Sequence, residues 1–380
     1  MKRVVVFYMI LFSVLYVNVL GQKTNSLNEL LDQSALLIYD NPDLAIANGL
    51  KIIEESNKID EQITAYRIIS DAYSSKRDYV KSLEYVIKAN QLLPKSKNAL
   101  LKISVVIKTA MQYHQLKIYD KALQYLDEGE KLALEYPSPK AVAHDLGICY
   151  AVRGFIYKEE LNCDIAIDHF IKSITVFENI KVSGNISNRS LANISIVHYN
   201  MGNCYLMSND IEMAKMNFEK SVSEASKIKA NSLEAFALKG LAQAYTLEAR
   251  YKDAIQELEN ALKISSDVND LILNQEIYKG LSENYLALNH EIEFNNYHIK
   301  YLDTQNQIRL NERKSVSDSL IEKNQILNSQ LERVKIKYIF VTLALVLIFI
   351  GGMFGFLVIF KKQKKEAIFL KSSIETLQKQ

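Results

Sequence analysis

Two kinds of apolar pattern run along this chain: a long-period repeat through the middle and an unbroken apolar stretch near each end. In the middle, tyrosines stand at Tyr73, Tyr113, Tyr157, Tyr205, Tyr245 and Tyr285, at intervals of 40, 44, 48, 40 and 40 residues. Three residues before each sits a small one: Ser70, Ala110, Gly154, Gly202, Ala242 and Ser282. Nine residues after come Ser82, Ala122, Ala166, Ala214, Ala254 and Phe294, and four further on Val86, Leu126, Phe170, Phe218, Leu258 and His298. Spacing inside the unit is constant while spacing between units varies. That predicts a rigid two-helix hairpin, repeated and joined by loops of unequal length. The small residues let helices approach, and the larger ones fill the space left. A less regular hairpin, Leu27–Tyr39 then Pro42–Asn57, extends the array, with Pro42 suited to a first helical turn. The unit of Tyr285 departs at Phe294 and His298 and reads as a capping or degraded repeat.

The pattern resembles the tetratricopeptide repeat (TPR). Its best match is His198, Met201, Gly202, Tyr205, Ala214 and Phe218; Tyr150, Gly154, Tyr157, Ala166 and Phe170 form a second. Leu241, Ala242, Tyr245, Ala254 and Ala261 form a third, and Tyr66, Tyr73, Ala89 and Pro94 a fourth. The resemblance covers about residues 60–302. It implies an all-α, TPR-like solenoid of about six to seven hairpins within residues 22–302, with a concave face made by the first helix of each. Stepping that face picks out Ile107, Met111, Ile148, Phe155, Ile196, Tyr199, Met207, Phe236, Lys239, Gln243 and Leu247 as candidates for a protein or peptide groove. The competing reading is that such a stripe is core. The pairs Arg67/Asp71, Tyr199/Asn203, Lys239/Gln243 and Lys279/Glu283 do not reproduce the Lys–Asn pair with which some family members clamp a peptide carboxylate.

The end stretches bear on compartment. Lys2 and Arg3, an apolar run Val4–Leu20 and then Gly21-Gln22 read as a secretory signal over residues 1–21, with an uncleaved anchor as the alternative. Tyr338–Phe360 is 23 residues without a charge, followed by Lys361, Lys362, Lys364 and Lys365. At ~1.5 Å per residue it reaches across a hydrocarbon core, and the lysines assign the tail 361–380 to the cytoplasm. The expected location is a bacterial inner membrane, crossed once, with the repeats in the periplasm. Gly351 and Gly355 form a small-xxx-small pair suited to close approach of two membrane helices.

Between repeats and span, residues 303–337 are polar and helical, without Gly or Pro. Leu320, Leu327 and Val334 make one heptad seam, but the companion positions Val316, Lys323 and Gln330 are mostly polar. A coiled-coil homodimer through connector and membrane helix and a single stiff helix are both open readings. The order of segments resembles the sensory half of TPR-containing sensor histidine kinases and LuxR-type regulators of Bacteroidota. Ala367–Gln380 is fourteen residues, too few for either effector, so the resemblance bears on location and input rather than output.

Composition narrows the picture further. Twelve Gly and four Pro in 380 residues are too few for an all-β chain. The formal charge of +2 is uneven: Met1–Gly21 holds +2, Lys361–Gln380 holds +4, and residues 22–360 hold −4. A nucleic-acid binder would carry its basic excess on the folded body. No phosphate loop, His-Glu-x-x-His pair or nucleophile elbow is present, and Cys149, Cys163 and Cys204 have no metal-motif spacing. No enzyme, cofactor or metal is therefore expected. Two functions remain: the input part of a signalling system, or a membrane-tethered scaffold for an envelope complex.

Overall fold

The computed structural model describes residues 27–38, 41–182, 186–265 and 270–377, and these contain helices and no strand. The proposed secretory segment 1–21 lies outside the described residues. Residues 27–38 form α1. Then come α2 (Pro42–Glu55), α3 (Ile59–Ser75), α4 (Tyr79–Leu92), a 3-10 turn (Leu93–Lys95), α5 (Ala99–Gln115) and α6 (Tyr119–Leu134). They are followed by α7 (Pro139–Glu159), α8 (Cys163–Val182), α9 (Asn188–Met207), α10 (Ile211–Lys227) and α11 (Asn231–Leu247). Last are α12 (Tyr251–Ile264), α13 (Leu271–Ala287) and α14 (Glu291–Leu377). The chain divides into two compact units, Met1–Thr304 and Gln305–Gln380.

The six hairpins from α3–α4 to α13–α14 turn the same way. The repeat tyrosine ends the first helix, and four residues on, Arg77, Lys117, Leu161, Asn209, Ala249 and Asn289 adopt left-handed φ of 57–61°. This lets the next N–H return to the tyrosine carbonyl, at 2.8–2.9 Å from Asp78, Ile118, Asn162, Asp210, Arg250 and His290. Such a turn satisfies carbonyls that would otherwise be orphaned at a helix C-terminus. None of the six is glycine, so each carries the cost of a Cβ in the left-handed region, roughly 1–2 kcal/mol. Asp78 and Asp210 then cap the second helix, accepting from Lys81 N and Met213 N at 3.1 Å.

The hairpin interior follows the repeat pattern. Ser82, Ala122, Ala166, Ala214 and Ala254 are fully buried, as are Val86, Leu126, Phe170 and Phe218, with Leu258 nearly so. In four of the six units the tyrosine has a partner that sequence pattern alone did not assign: the ring twelve residues on. Tyr73 stacks on Tyr85 and Tyr113 on Tyr125 at 5.5 Å, Tyr157 on His169 at 5.5 Å, and Tyr285 on Tyr297 at 5.7 Å. In the last hairpin Phe294 and His298 stack on each other at 5.3 Å and are only half-buried.

Successive first helices touch: α3 meets α5, α5 meets α7, α7 meets α9, α9 meets α11 and α11 meets α13. Second helices pack against the first helices on either side, and among the described residues they make no comparable contact with one another. One layer is therefore close-set and the other splayed, which makes the first-helix layer the inner, concave one.

In the second unit, Val334–Ile368 is long and apolar enough to cross a membrane, and among the described residues nothing covers it. An added Cβ at Gly351 or Gly355 would meet nothing within 4 Å, so that face is open. The side chains of Leu320 and Leu327 in the proposed seam lie outside the described residues.

Candidate functional site

The inner layer gathers polar side chains at two places. Toward the N-terminus, Lys108 on α5 pairs with Asp71 on α3 at 2.8 Å. Arg67 on α3, Lys108 and Arg189 on α9 surround Asp145 on α7, which also accepts a hydrogen bond from Ser104. Burial pushes the Asp145 carboxyl above its ordinary value, against the pull of those cations. Its neighbour His144 bonds Ser190 Oγ at 3.0 Å, and burial with Arg189 and Lys108 nearby brings its pKa down to about 4. The ion pair Lys108–Asp71 joins α5 to α3, while Arg67 Nε is buried without a hydrogen-bond partner.

Toward the C-terminus the layer opens into two cavities. One, of about 210 Å³, lies between α9 and α11 and is lined by Ile196, Tyr199, Asn200 and Phe236. The second, of about 430 Å³, lies between α11 and α13 and is lined by Lys239, Gln243, Thr246, Leu247, Glu276 and Asn284. A single side chain joins them. Lys239 Nζ donates to the Tyr199 hydroxyl at 3.0 Å and to Glu276 Oε2 at 2.7 Å. Burial opposes the Lys239 charge, but Tyr199 and Glu276 outweigh it and raise the ammonium pKa above its ordinary value. Asn200 accepts from Lys158 Nζ at 2.5 Å, and Asn284 accepts from the Thr246 hydroxyl at 3.0 Å. Tyr199 is held edge-on against Phe236 at 6.0 Å and tilted against Phe218 at 5.9 Å. The result is a strip across three helices with an aromatic, apolar end and an amide- and charge-lined end.

Six of the sequence-selected groove residues meet here: Ile196, Tyr199 and Phe236 at the first cavity, Lys239, Gln243 and Leu247 at the second. The other five do not. Ile107 is a correction: it is 1% exposed and packs against Gly129, so it belongs to the core. Met111, Ile148 and Phe155 are half-buried against the core around α5–α7, with Phe155 tilted on Phe170 at 5.5 Å. Met207 is exposed at the end of α9, against the Cys163 thiol.

Glu276, Asn200 and Asn284 were not singled out from the sequence. A signal for such partners exists, because Asp71–Lys108 and Lys239–Glu276 are both opposite charges 37 residues apart, one repeat less about a turn. Of the cysteines, Cys149 lies inside α7, while Cys163, which opens α8, shares a buried cluster with Cys204.

The chain matches no described sequence family and no curated protein. Among solved structures it is similar to NprR in complex with its cognate peptide NprX, with 11% identity and a TM-score of 0.52 over 80% of this chain and 87% of that one. It is similar to a signal-transduction ATPase with a tetratricopeptide repeat sensor from Pyrococcus horikoshii, with 15% identity and a TM-score of 0.51 over 73% and 41% of the two chains. A Rap protein complexed with competence and sporulation factor gives 12% identity and a TM-score of 0.50 over 75% and 99%. At these identities the likeness is one of fold, and the fold is a TPR-like helical solenoid.

Proposed function

We propose that the inner layer of α9, α11 and α13 is a groove for a peptide or an extended segment of a partner protein. The observation that carries this is the Lys239 bridge between the two cavities, from Tyr199 of the first lining to Glu276 of the second. An aromatic wall supplies apolar contact beside a row of amide and charged groups that suits a polypeptide backbone. The fold supports the reading, since NprR and Rap proteins of the same architecture are known in complex with a peptide and with a competence and sporulation factor. In this reading Val334–Ile368 anchors the chain in a bacterial inner membrane, the repeats lie in the periplasm, the basic residues from Lys361 stay in the cytoplasm, and the chain is the input part of a signalling system. A homodimer contact through Gly351 and Gly355 belongs to the same proposal.

The test is to pan a phage-displayed random peptide library against the detergent-solubilised chain. Selected peptides are expected to lose roughly tenfold in affinity, ~1.4 kcal/mol, on Tyr199→Ala or Gln243→Ala. Lys172→Ala, on the exposed face of α8, is expected to leave them unchanged. Peptides indifferent to both groove substitutions would overturn the assignment.

A further inference from the structure

The boundary between the fourth hairpin (α7–α8) and the fifth (α9–α10) brings three sulfur atoms together. Cys163 is the first residue of α8, two residues beyond the left-handed Leu161. Cys204 and Met207 sit three apart on α9, about one turn, and so share a face. Cys163 Sγ lies 3.7 Å from Met207 Sδ, and the Cys163 thiol is close enough to Cys204 to act on its titration. Both thiols belong to one apolar cluster with Ala166, Phe170, Val197 and Met201. Exposure differs between them: Cys204 is wholly buried, whereas Cys163 keeps 8% of its surface. The third cysteine is elsewhere, with Cys149 Sγ against the Leu126 carbonyl at 3.5 Å in a different cluster.

We infer that Cys163 and Cys204 are a redox-active pair that an external small-molecule disulfide converts into an intrachain disulfide, stapling the fourth hairpin to the groove-lining helix α9. Neither residue need leave its helix. A disulfide requires Cβ atoms ~3.5–4.5 Å apart and sulfurs at ~2.05 Å, and thiols packed into one cluster approach that by side-chain rotation. Cys163, at the mouth of a helix, has the freedom to rotate, while Cys204 is fixed by packing.

The asymmetry in exposure sets the order of events. The Cys163 thiolate attacks one sulfur of oxidised glutathione, breaking its S–S bond, forming a mixed disulfide and releasing one glutathione thiolate, which takes up a proton. Cys204 Sγ then attacks Cys163 Sγ and displaces the second glutathione thiolate, which takes up the proton Cys204 gives up. Two protein thiols are oxidised, and one glutathione disulfide is reduced to two thiols. Burial, with the Cys163 thiol beside it, drives the Cys204 thiol pKa well above its ordinary range, which suits a thiol that resolves rather than initiates. The inference is independent of the groove reading.

The experiment incubates the full, detergent-solubilised chain with oxidised glutathione and follows intact mass and non-reducing peptide maps. The wild type is expected to lose two hydrogens and to yield one cross-linked peptide pair containing Cys163 and Cys204, with Cys149 still free. Cys204→Ser is expected to hold glutathione on Cys163, and Cys163→Ser to resist modification. A wild type that stays reduced, that accumulates glutathione on Cys163 without a bridge, or that bridges through Cys149 would overturn the inference. The wild-type map decides the matter alone if either serine variant fails to fold.

Discussion

Gly154 and Phe170, sixteen residues apart on α7 and α8, act as one packing unit: a methyl group on Gly154 would lie 2.3 Å from the Phe170 ring. The next hairpin repeats the arrangement, with a Gly202 methyl 2.6 Å from Phe218, and Phe218 also bars a methyl on Gly240 at 2.4 Å. Where the larger partner is Leu126 or Leu258, the small one is Ala110 or Ala242. Volume removed from the first helix is returned by the second, so the gap between them stays filled.

This trade sets the first prediction. Gly154→Ala gains up to about 1 kcal/mol in helix propensity yet is expected to destabilise the chain by a net ~1–3 kcal/mol through overpacking. Phe170→Leu makes room for the methyl, so the double variant is expected to be more stable than the sum of the singles by ~1 kcal/mol or more. Urea titration followed by helical circular dichroism measures the cycle, and simple additivity would refute the packing argument.

The hairpin turns give a second. Leu161 holds a left-handed φ of 61° with its side chain 77% exposed, so nothing is lost by shortening it. Leu161→Gly is expected to stabilise by ~0.5–1 kcal/mol, the relief of the Cβ clash less the added freedom of the unfolded chain. Asn209→Gly, at the equivalent turn, is expected to gain less because asparagine tolerates this region. Denaturation midpoints compare the two, and an equal gain at both sites would contradict the account.

Acid sensitivity follows from the buried histidines. His144 is brought down from 6.5 to about 4, mainly by burial, and burial also lowers His114, His169 and His198. The unfolded chain then binds protons before the folded one, so stability is full above pH ~6.5 and falls as pH drops toward ~4. His144→Gln removes one of these groups and is expected to flatten the fall between pH 6.5 and 4. Urea midpoints at several pH values read the difference, and an unchanged slope would exclude His144 as a contributor.

At the site, Lys239→Met keeps the length of the side chain and deletes its charge. Glu276 is 45% exposed on its side chain and turns to water, so the expected cost in stability is modest, ~1–2 kcal/mol. Glu276→Gln retains an acceptor for the ammonium and is expected to cost less than ~1 kcal/mol. A larger loss for the glutamine variant than for methionine would show that Glu276 acts through some other partner.

The repeating hairpin was legible in the sequence because its contacts are local. The small residue before each tyrosine, the alanine after it and the aliphatic or aromatic position a turn later all meet within a few tens of residues, so one periodicity reports on every unit. Six hairpins, α3–α4 to α13–α14, follow from it, a less regular one of α1 and α2 precedes them among the described residues, and the last departs where Phe294 and His298 replace the usual residues. The groove was only half legible. Ile107, Tyr199 and Lys239 each stand six residues before a repeat tyrosine, yet Ile107 is core while the other two line cavities. Gly129 on α6 leaves a space that Ile107 fills, whereas Tyr199 is turned toward α11 by Phe218 and Phe236. The meeting of Cys163 with Cys204 likewise depends on how one hairpin docks on the next. Spacing along the chain determined the fold of each hairpin; which side chains face the groove or one another was decided by packing between hairpins, where the contacts depend on side-chain volume rather than on period.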